Sequence, residues 1–207
     1  MKSVLQGLAL MLAVVPFLAC ASHAASPTDP DWPCIQPKVP QIAAGQVWNG
    51  PPVDEIGESW REDAAISDLA QKIAARRTSL DEAKGLIDEF AAGIQGDKSR
   101  PLTALFAGTL SIINGERASI IAGIGRYAKR QRALSKKIEE EMAELSKLPQ
   151  DSSTDGTSER DDLLEVQAWD VRIFQERERS LRYVCEQPVL LEQRAFALGR
   201  DIQAHLK

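Results

Sequence analysis

Residues 26–58 read SPTDPDWPCIQPKVPQIAAGQVWNGPPVDEIGE, and this stretch decides how the rest of the chain can fold. It contains seven of the eleven prolines of the 207-residue chain. Proline cannot continue a helix or donate to a sheet ladder, and it drives the residue before it into extended conformations. The composition therefore predicts a stiff, extended N-terminal strap over residues 25–58, lying on a body built from the residues that follow.

Large apolar side chains distinguish the strap from a disordered linker, which would lack them. They are Trp32, Ile35, Val39, Ile42, Val47 and Trp48. We expect these side chains to pack on the body, because tryptophan buries a large area and has few rotors to freeze. The alternative is a surface for a partner or ligand, since exposed Trp and Pro are common at interfaces. The candidates for an interaction surface are Trp32, Trp48, Trp60 and Trp169.

Residues 1–24 have the pattern of a secretory signal peptide. Lys2 precedes a mostly apolar run, and Ser22-His23-Ala24 places small residues at the −3 and −1 positions of a cleavage site. The run is too short for an ordinary spanning helix. We therefore expect a periplasmic or secreted protein without a transmembrane segment after cleavage. The alternative is lipid anchoring through Cys20, because Phe17-Leu18-Ala19 resembles a lipobox with Phe in place of the usual Leu.

The charge of the mature chain excludes two classes of partner. Removing residues 1–24 takes away Lys2 and leaves 24 basic and 30 acidic side chains, a net charge of −6. No basic stripe with interleaved aromatic residues is present in the sequence. The sequence therefore argues against a nucleic-acid binder and against electrostatic clamping to a membrane surface.

The cysteines predict a covalent link between the strap and the body. Either route of processing removes Cys20 as a free thiol and leaves Cys34 and Cys185. An even pair in an oxidising compartment predicts a disulfide, and two unrelated buried thiols are the alternative. Closing a loop of about 150 residues would add about 4–5 kcal/mol in the chain-entropy model.

Residues 59–207 carry apolar residues at helical spacings, which predicts a helical domain. Two capping-box patterns mark helix starts: Ser-Trp-Arg-Glu from Ser59 and Ser-Leu-Asp-Glu from Ser79. The first helix is predicted to end near Arg76 and the second at Gly96. A short turn joins them, so they are expected to pack as an antiparallel pair.

Two longer helices complete the predicted body. The third is expected to start at Pro101 and to run to about Leu148, as one long helix with at most a kink near Gly115. The fourth is expected to restart near Arg160, antiparallel to the third, and to be kinked or divided by Pro188.

The predicted fold is all-α: a helical bundle with a long antiparallel coiled-coil hairpin over about residues 116–184 and the Pro-rich strap on its surface. Residues 102–125 are apolar enough to suggest a membrane span, but Glu116 and Arg117 interrupt them. Charges within a bilayer are costly, so we expect no span there. The hairpin pattern fits pairing within one chain or with a second copy, so a homo-oligomer stays open.

The sequence offers little for catalysis. His205 is the only histidine of the mature chain, and no Walker, nucleophile-elbow or dinucleotide motif is present. We therefore expect a protein that is not an enzyme and that carries no cofactor.

One polar loop, residues 151–162, resembles an EF-hand calcium loop, with Gly156 at the turn position. Its candidate ligands are Asp151, Ser153, Asp155, Thr157, Glu159 and Asp162. Asp162 stands where the family has glutamate, Ser158 stands where an apolar residue is usual, and no second hand follows. The resemblance implies weak calcium binding, and a solvated hairpin tip is the alternative.

The function hypothesis is a periplasmic or secreted interaction protein, an accessory, scaffold or chaperone-like factor that binds a protein partner through its hairpin. The motivation is a long amphipathic hairpin and the absence of catalytic motifs. The alternative is a periplasmic protein that binds a small ligand, in a pocket lined by Trp32, Trp48 and Trp60, or calcium at the 151–162 loop.

Overall fold

The computed structural model describes residue 29 and residues 31–148 and 159–206 of the chain. Within these residues the secondary structure is helical and includes no strand, which confirms the all-α fold. In chain order the elements are helix α1 (Ala44–Val47), a 3₁₀ turn (Ser59–Arg61), and helices α2 (Ala64–Ala74), α3 (Leu80–Gly93), α4 (Ser99–Leu145) and α5 (Glu159–Gln203). The predicted signal peptide and Cys20 lie outside the described residues.

The first predicted helix start, at Ser59, is wrong. Ser59 opens the 3₁₀ turn, and its hydroxyl donates to the Ile56 carbonyl at 2.7 Å. The cap of α2 is Asp63, whose carboxylate accepts from the backbone N–H groups of Ala65 at 2.9 Å and Ile66 at 3.2 Å. A carboxylate at the N-cap satisfies donors that have no partner within the helix. The helix therefore begins after Asp63, one turn later than predicted.

The second predicted cap is confirmed. The Ser79 hydroxyl accepts from the Glu82 N–H at 3.1 Å, and α3 follows directly. The helix ends at Gly93, and Gly96 lies three residues beyond it with φ +80°, a conformation that favours glycine. The turn between α2 and α3 reverses the chain, so the two helices are neighbours in the bundle.

Helix α4 is continuous through Gly115 and contains 47 residues, which makes it about 70 Å long. The prediction of one long third helix is therefore confirmed. The first part of α4 is the spine of the bundle, with Leu102, Leu105, Phe106 and Ile113 almost fully buried. The second part has few fully buried side chains, because only α5 and the first half of the strap contact it among the described residues.

Helix α5 also runs without interruption, so Pro188 does not divide it as the sequence allowed. Proline withdraws one backbone donor from the helix. Side chains donate to three carbonyls at or before this position: Gln187 to Tyr183 at 2.9 Å, Gln36 of the strap to Cys185, and Arg117 of α4 to Pro188. Contacts from the strap and from α4 therefore meet α5 at its proline.

Helices α4 and α5 pair antiparallel, as predicted for the hairpin. The Tyr127 hydroxyl donates to the Arg177 carbonyl at 2.5 Å, and further along α4 the Arg160 guanidinium donates to the Leu145 carbonyl at 2.9 Å. The last part of α5 enters the bundle with α2, α3 and the start of α4. Its buried side chains include Leu191, Ala195, Leu198 and Ile202.

Alanine substitutions at two glycines of the long helices are expected to change the free energy of unfolding in opposite directions. A Cβ atom on Gly199 would lie 2.4 Å from the Val47 carbonyl oxygen of the strap, whereas one on Gly115 would meet no atom within 4 Å. We expect Gly199→Ala to lower the free energy of unfolding by about 2–3 kcal/mol through overpacking. We expect Gly115→Ala to raise it by about 0.5–1 kcal/mol, because alanine is the better helix former. Denaturant titration measures both, and equal shifts of the same sign would contradict this packing of the strap.

Candidate interaction surfaces

The predicted disulfide is present and fixes the first half of the strap. Cys34 and Cys185 are bonded, with their Cα atoms 5.6 Å apart. The Trp32 indole N–H donates to the Gln36 carbonyl at 2.6 Å, and Gln36 donates in turn to the Cys185 carbonyl. Asp31 pairs with Arg132 of α4. This half of the strap is therefore held by one covalent bond and by polar contacts.

A single buried guanidinium joins the strap to both long helices. Arg117 is 4% exposed and lies on α4. Its Nε donates to the Val39 carbonyl at 2.9 Å, and its Nη1 donates to the Pro188 carbonyl. Its Nη2 lies 3.5 Å from a Glu192 carboxylate oxygen. A buried charge is tolerated when it is paired and hydrogen-bonded, so Arg117 is a structural junction.

The second half of the strap is held by burial in the core. Ile42, Val47 and Trp48 are each less than 10% exposed. The Trp48 ring stacks on Phe106 of α4 with ring centroids 4.2 Å apart and an interplanar angle of 7°. The Asn114 side chain accepts from the Ile42 N–H at 2.8 Å and donates to the Ile42 carbonyl at 3.0 Å. This half of the strap is thus a structural part of the bundle.

Two of the four tryptophans assigned to an interaction surface are core residues. Trp48 is 6% exposed and Trp60 is 1% exposed, and the Trp60 ring packs against Gly108. The assignment of these two to a partner or ligand surface is wrong, because the Trp48 ring packs on Phe106 and the Trp60 ring on Gly108, both in α4. Trp32 is half-buried. Trp169 is 55% exposed, and the Arg172 guanidinium lies over its ring, 5.0 Å from the ring centroid.

The strap also differs from prediction in two apolar residues that face solvent. Ile35 is fully exposed and Val39 is 44% exposed, so they do not pack on the body as expected. Each lines a groove that also includes Val189 of α5. Two further apolar residues of α5 are exposed: Leu190 lines the same groove as Ile35, and Phe196 lines another groove that includes Val189. We call these five residues the strap-side surface.

One flank of the hairpin carries a network of charged side chains. The Lys137 ammonium lies 2.5 Å from an Asp170 carboxylate oxygen on α5 and 3.4 Å from one of Glu141 on its own helix. Hydrogen bonds to Asp170 and then to Glu141 raise the pKa of Lys137 above its usual value. This network links the two helices and screens their seam on that side.

The opposite flank of the hairpin leaves apolar side chains accessible. A groove of about 320 Å³ runs along the seam there, lined by Ile138, Val171 and Phe174. Met142 is one turn beyond Ile138, and Leu164 is two turns before Val171, so helical spacing places both on the same side. Met142 is 57% exposed and Leu164 is 41% exposed. We call these five residues the open face of the hairpin.

The candidate calcium loop is only partly within the described residues. Asp151, Ser153, Asp155 and Thr157 lie outside them, while Glu159 and Asp162 belong to the first turn of α5. No group of three or more His, Cys, Asp or Glu side chains among the described residues is arranged to hold a metal ion. The EF-hand resemblance therefore stays an expectation from the sequence.

Two structural residues escaped the sequence prediction. Arg117 follows Ile113 and precedes Ile121 at four-residue spacing, so it occupies the buried stripe of α4. A single charged residue within an otherwise apolar stripe indicates a buried side chain that must be hydrogen-bonded or paired. Asn114, beside the possible kink at Gly115, was given no role from the sequence, although its amide pairs with the backbone of the strap.

No protein-family model, curated protein or solved structure matches the chain. In the described part of the chain, no helix combines the length and the apolar character needed to cross a membrane.

Proposed function

We propose that the chain is a periplasmic or secreted interaction protein, an accessory, scaffold or chaperone-like factor that binds a partner protein along the open face of its hairpin. The observation that carries the proposal is the apolar groove on one flank of the hairpin, beside which Met142 and Leu164 are exposed. The Lys137–Asp170 network lies on the other flank, where Val166 and Trp169 are also exposed. Export is supported by the signal-peptide pattern of residues 1–24 and by the Cys34–Cys185 disulfide.

The open face has the form of a groove that accepts a helix. Two parallel ridges of apolar side chains, one from α4 and one from α5, leave a channel between them at Ile138 and Phe174. An amphipathic helix binds such a channel through residues at spacings of three and four. Glu139 and Glu178 also line the groove, so the matching helix is basic beside its apolar stripe.

Site-specific photo-crosslinking of the full chain in the cells that produce it tests this proposal. A photoreactive residue in place of Met142 or Leu164 is expected to give discrete adducts with a partner protein. The same residue in place of Lys129, an exposed position of α4, is the matched control and is expected to give none. The double variant Met142→Glu, Leu164→Glu is expected to weaken binding about tenfold or more, because it places charge against apolar groups.

A second double variant separates the two flanks. Val166 and Trp169 are 46% and 55% exposed and lie on α5 away from the groove. Replacing both with glutamate is expected to leave the adducts unchanged. Adducts that vanish only in this second variant would move the binding site to Trp169, and adducts insensitive to both would reject binding through the hairpin.

A further inference from the structure

A second apolar surface, which includes most of the strap-side surface, lies further along α5 on the segment that belongs to the bundle. The inward side of this segment is buried at Leu191 and Leu198. Its outward side carries Val189 at 37%, Leu190 at 44% and Phe196 at 51% exposure. A surface helix ordinarily presents polar residues outward. Contiguous exposed apolar residues of this kind mark an interaction site.

The order of residues on this outward side is self-complementary. Consider a second copy of α5 packed antiparallel, with a two-fold axis through Gln193. Residues equally far from Gln193 then face each other: Leu190 faces Phe196, and Glu186 faces Arg200 of the other copy. Gln193 faces Gln193 of the other copy, and a side-chain amide can both donate to and accept from another amide. Apolar groups therefore meet apolar groups, and each acid meets a base.

The opposing charges are available for this pairing. Glu186 and Arg200 are both exposed. Each lines a groove that also contains Gln193 and Val189. Two-fold symmetry forms the Glu186–Arg200 contact twice in each interface. Ile35 of the strap, fully exposed beside Leu190, extends the same surface.

We propose that the chain forms a two-fold symmetric homodimer through this outward side of α5, with Gln193 on the axis and the strap residue Ile35 at its edge. The partner that fits is a second copy of this chain. When two copies of α5 run antiparallel, each apolar residue on this side faces an apolar residue and each charge faces the opposite charge. The interface and the open face are formed by different residues. One dimer thus presents two hairpins to partner proteins.

Charge reversal tests the pairing with the full chain by sedimentation or light scattering over a range of concentrations. The unmodified protein is expected to dimerise. Glu186→Arg places like charges opposite Arg200 twice, and Arg200→Glu does so opposite Glu186, so each is expected to raise the dimer Kd about tenfold. The double variant Glu186→Arg, Arg200→Glu restores the opposite charges and is expected to return the Kd to its original value.

Two further variants complete the test. Leu190→Glu is expected to raise the dimer Kd about a hundredfold, because it removes an apolar group from each copy. The open-face variant Met142→Glu, Leu164→Glu is expected to dimerise normally, so a failure of hairpin binding is distinguished from a failure of dimerisation. A protein that is monomeric at all concentrations, or a double charge variant no better than the single ones, overturns the proposed dimer.

Discussion

Replacing both Cys34 and Cys185 by serine is expected to lower the free energy of unfolding by about 5 kcal/mol in the chain-entropy model. The disulfide closes a loop with a sequence separation of 151 residues, so its loss releases a large conformational freedom in the unfolded chain. Denaturant titration of the chain from residue 25 onward, which lacks Cys20, measures the change without thiol exchange. Asp29→Ala is the matched control, because it removes only the exposed pair with Lys38 and the exposed hydrogen bond from the Asp31 N–H, and it is expected to change stability by less than about 0.5 kcal/mol.

The structure also predicts where the variant without the disulfide opens. The first half of the strap buries little, since Ile35 and Val39 are exposed, whereas the second half is anchored by Val47 and Trp48. Trypsin is therefore expected to cleave after Lys38 faster than in the unmodified protein, while the helical content stays unchanged. Cleavage at an unchanged rate, together with unchanged stability, would show that the disulfide does not hold the strap.

Local signals in the sequence were sufficient for the helices. Ser79 caps α3 as predicted, and the apolar spacing along α4 predicted its continuity through Gly115, because both depend on neighbours within a few residues. Where two cap residues stood four apart, Ser59 and Asp63, the pattern favoured the wrong one. The choice is made by the backbone of the preceding residues, since the Ser59 hydroxyl is engaged with the Ile56 carbonyl.

The burial of individual side chains in the strap could not be predicted from the sequence. An extended, proline-rich segment has no periodicity, so the sequence does not say which apolar residues point inward. Trp48 is buried because Phe106 of α4 lies opposite it, and Ile35 is exposed although it is next to the disulfide. The candidate surfaces share this dependence on distant residues: the groove of the open face is lined by Ile138 of α4 together with Val171 and Phe174 of α5.

A second arginine, Arg194 of α5, holds the C-terminal end of α2. It is 8% exposed. Its Nε and Nη2 donate to the Ile73 carbonyl at 3.0 and 2.6 Å, and Nη2 also donates to the Thr78 carbonyl at 2.7 Å. The last carbonyls of a helix lack partners within it, and a cation is favourable at that end. Burial lowers the pKa of Arg194, and the carbonyl bonds offset the cost of placing the cation there.

Arg194→Leu is therefore expected to lower the free energy of unfolding by about 4 kcal/mol. The substitution leaves the buried Ile73 and Thr78 carbonyls without their donor, and each unpaired buried polar group costs about 1–3 kcal/mol. Arg179→Leu, the same change at an exposed position of α5, is expected to shift stability by less than about 0.5 kcal/mol. Denaturant titration compares the two. Equal small losses would mean that solvent replaces the lost donors, and the junction of α2, α3 and α5 would then not depend on this guanidinium.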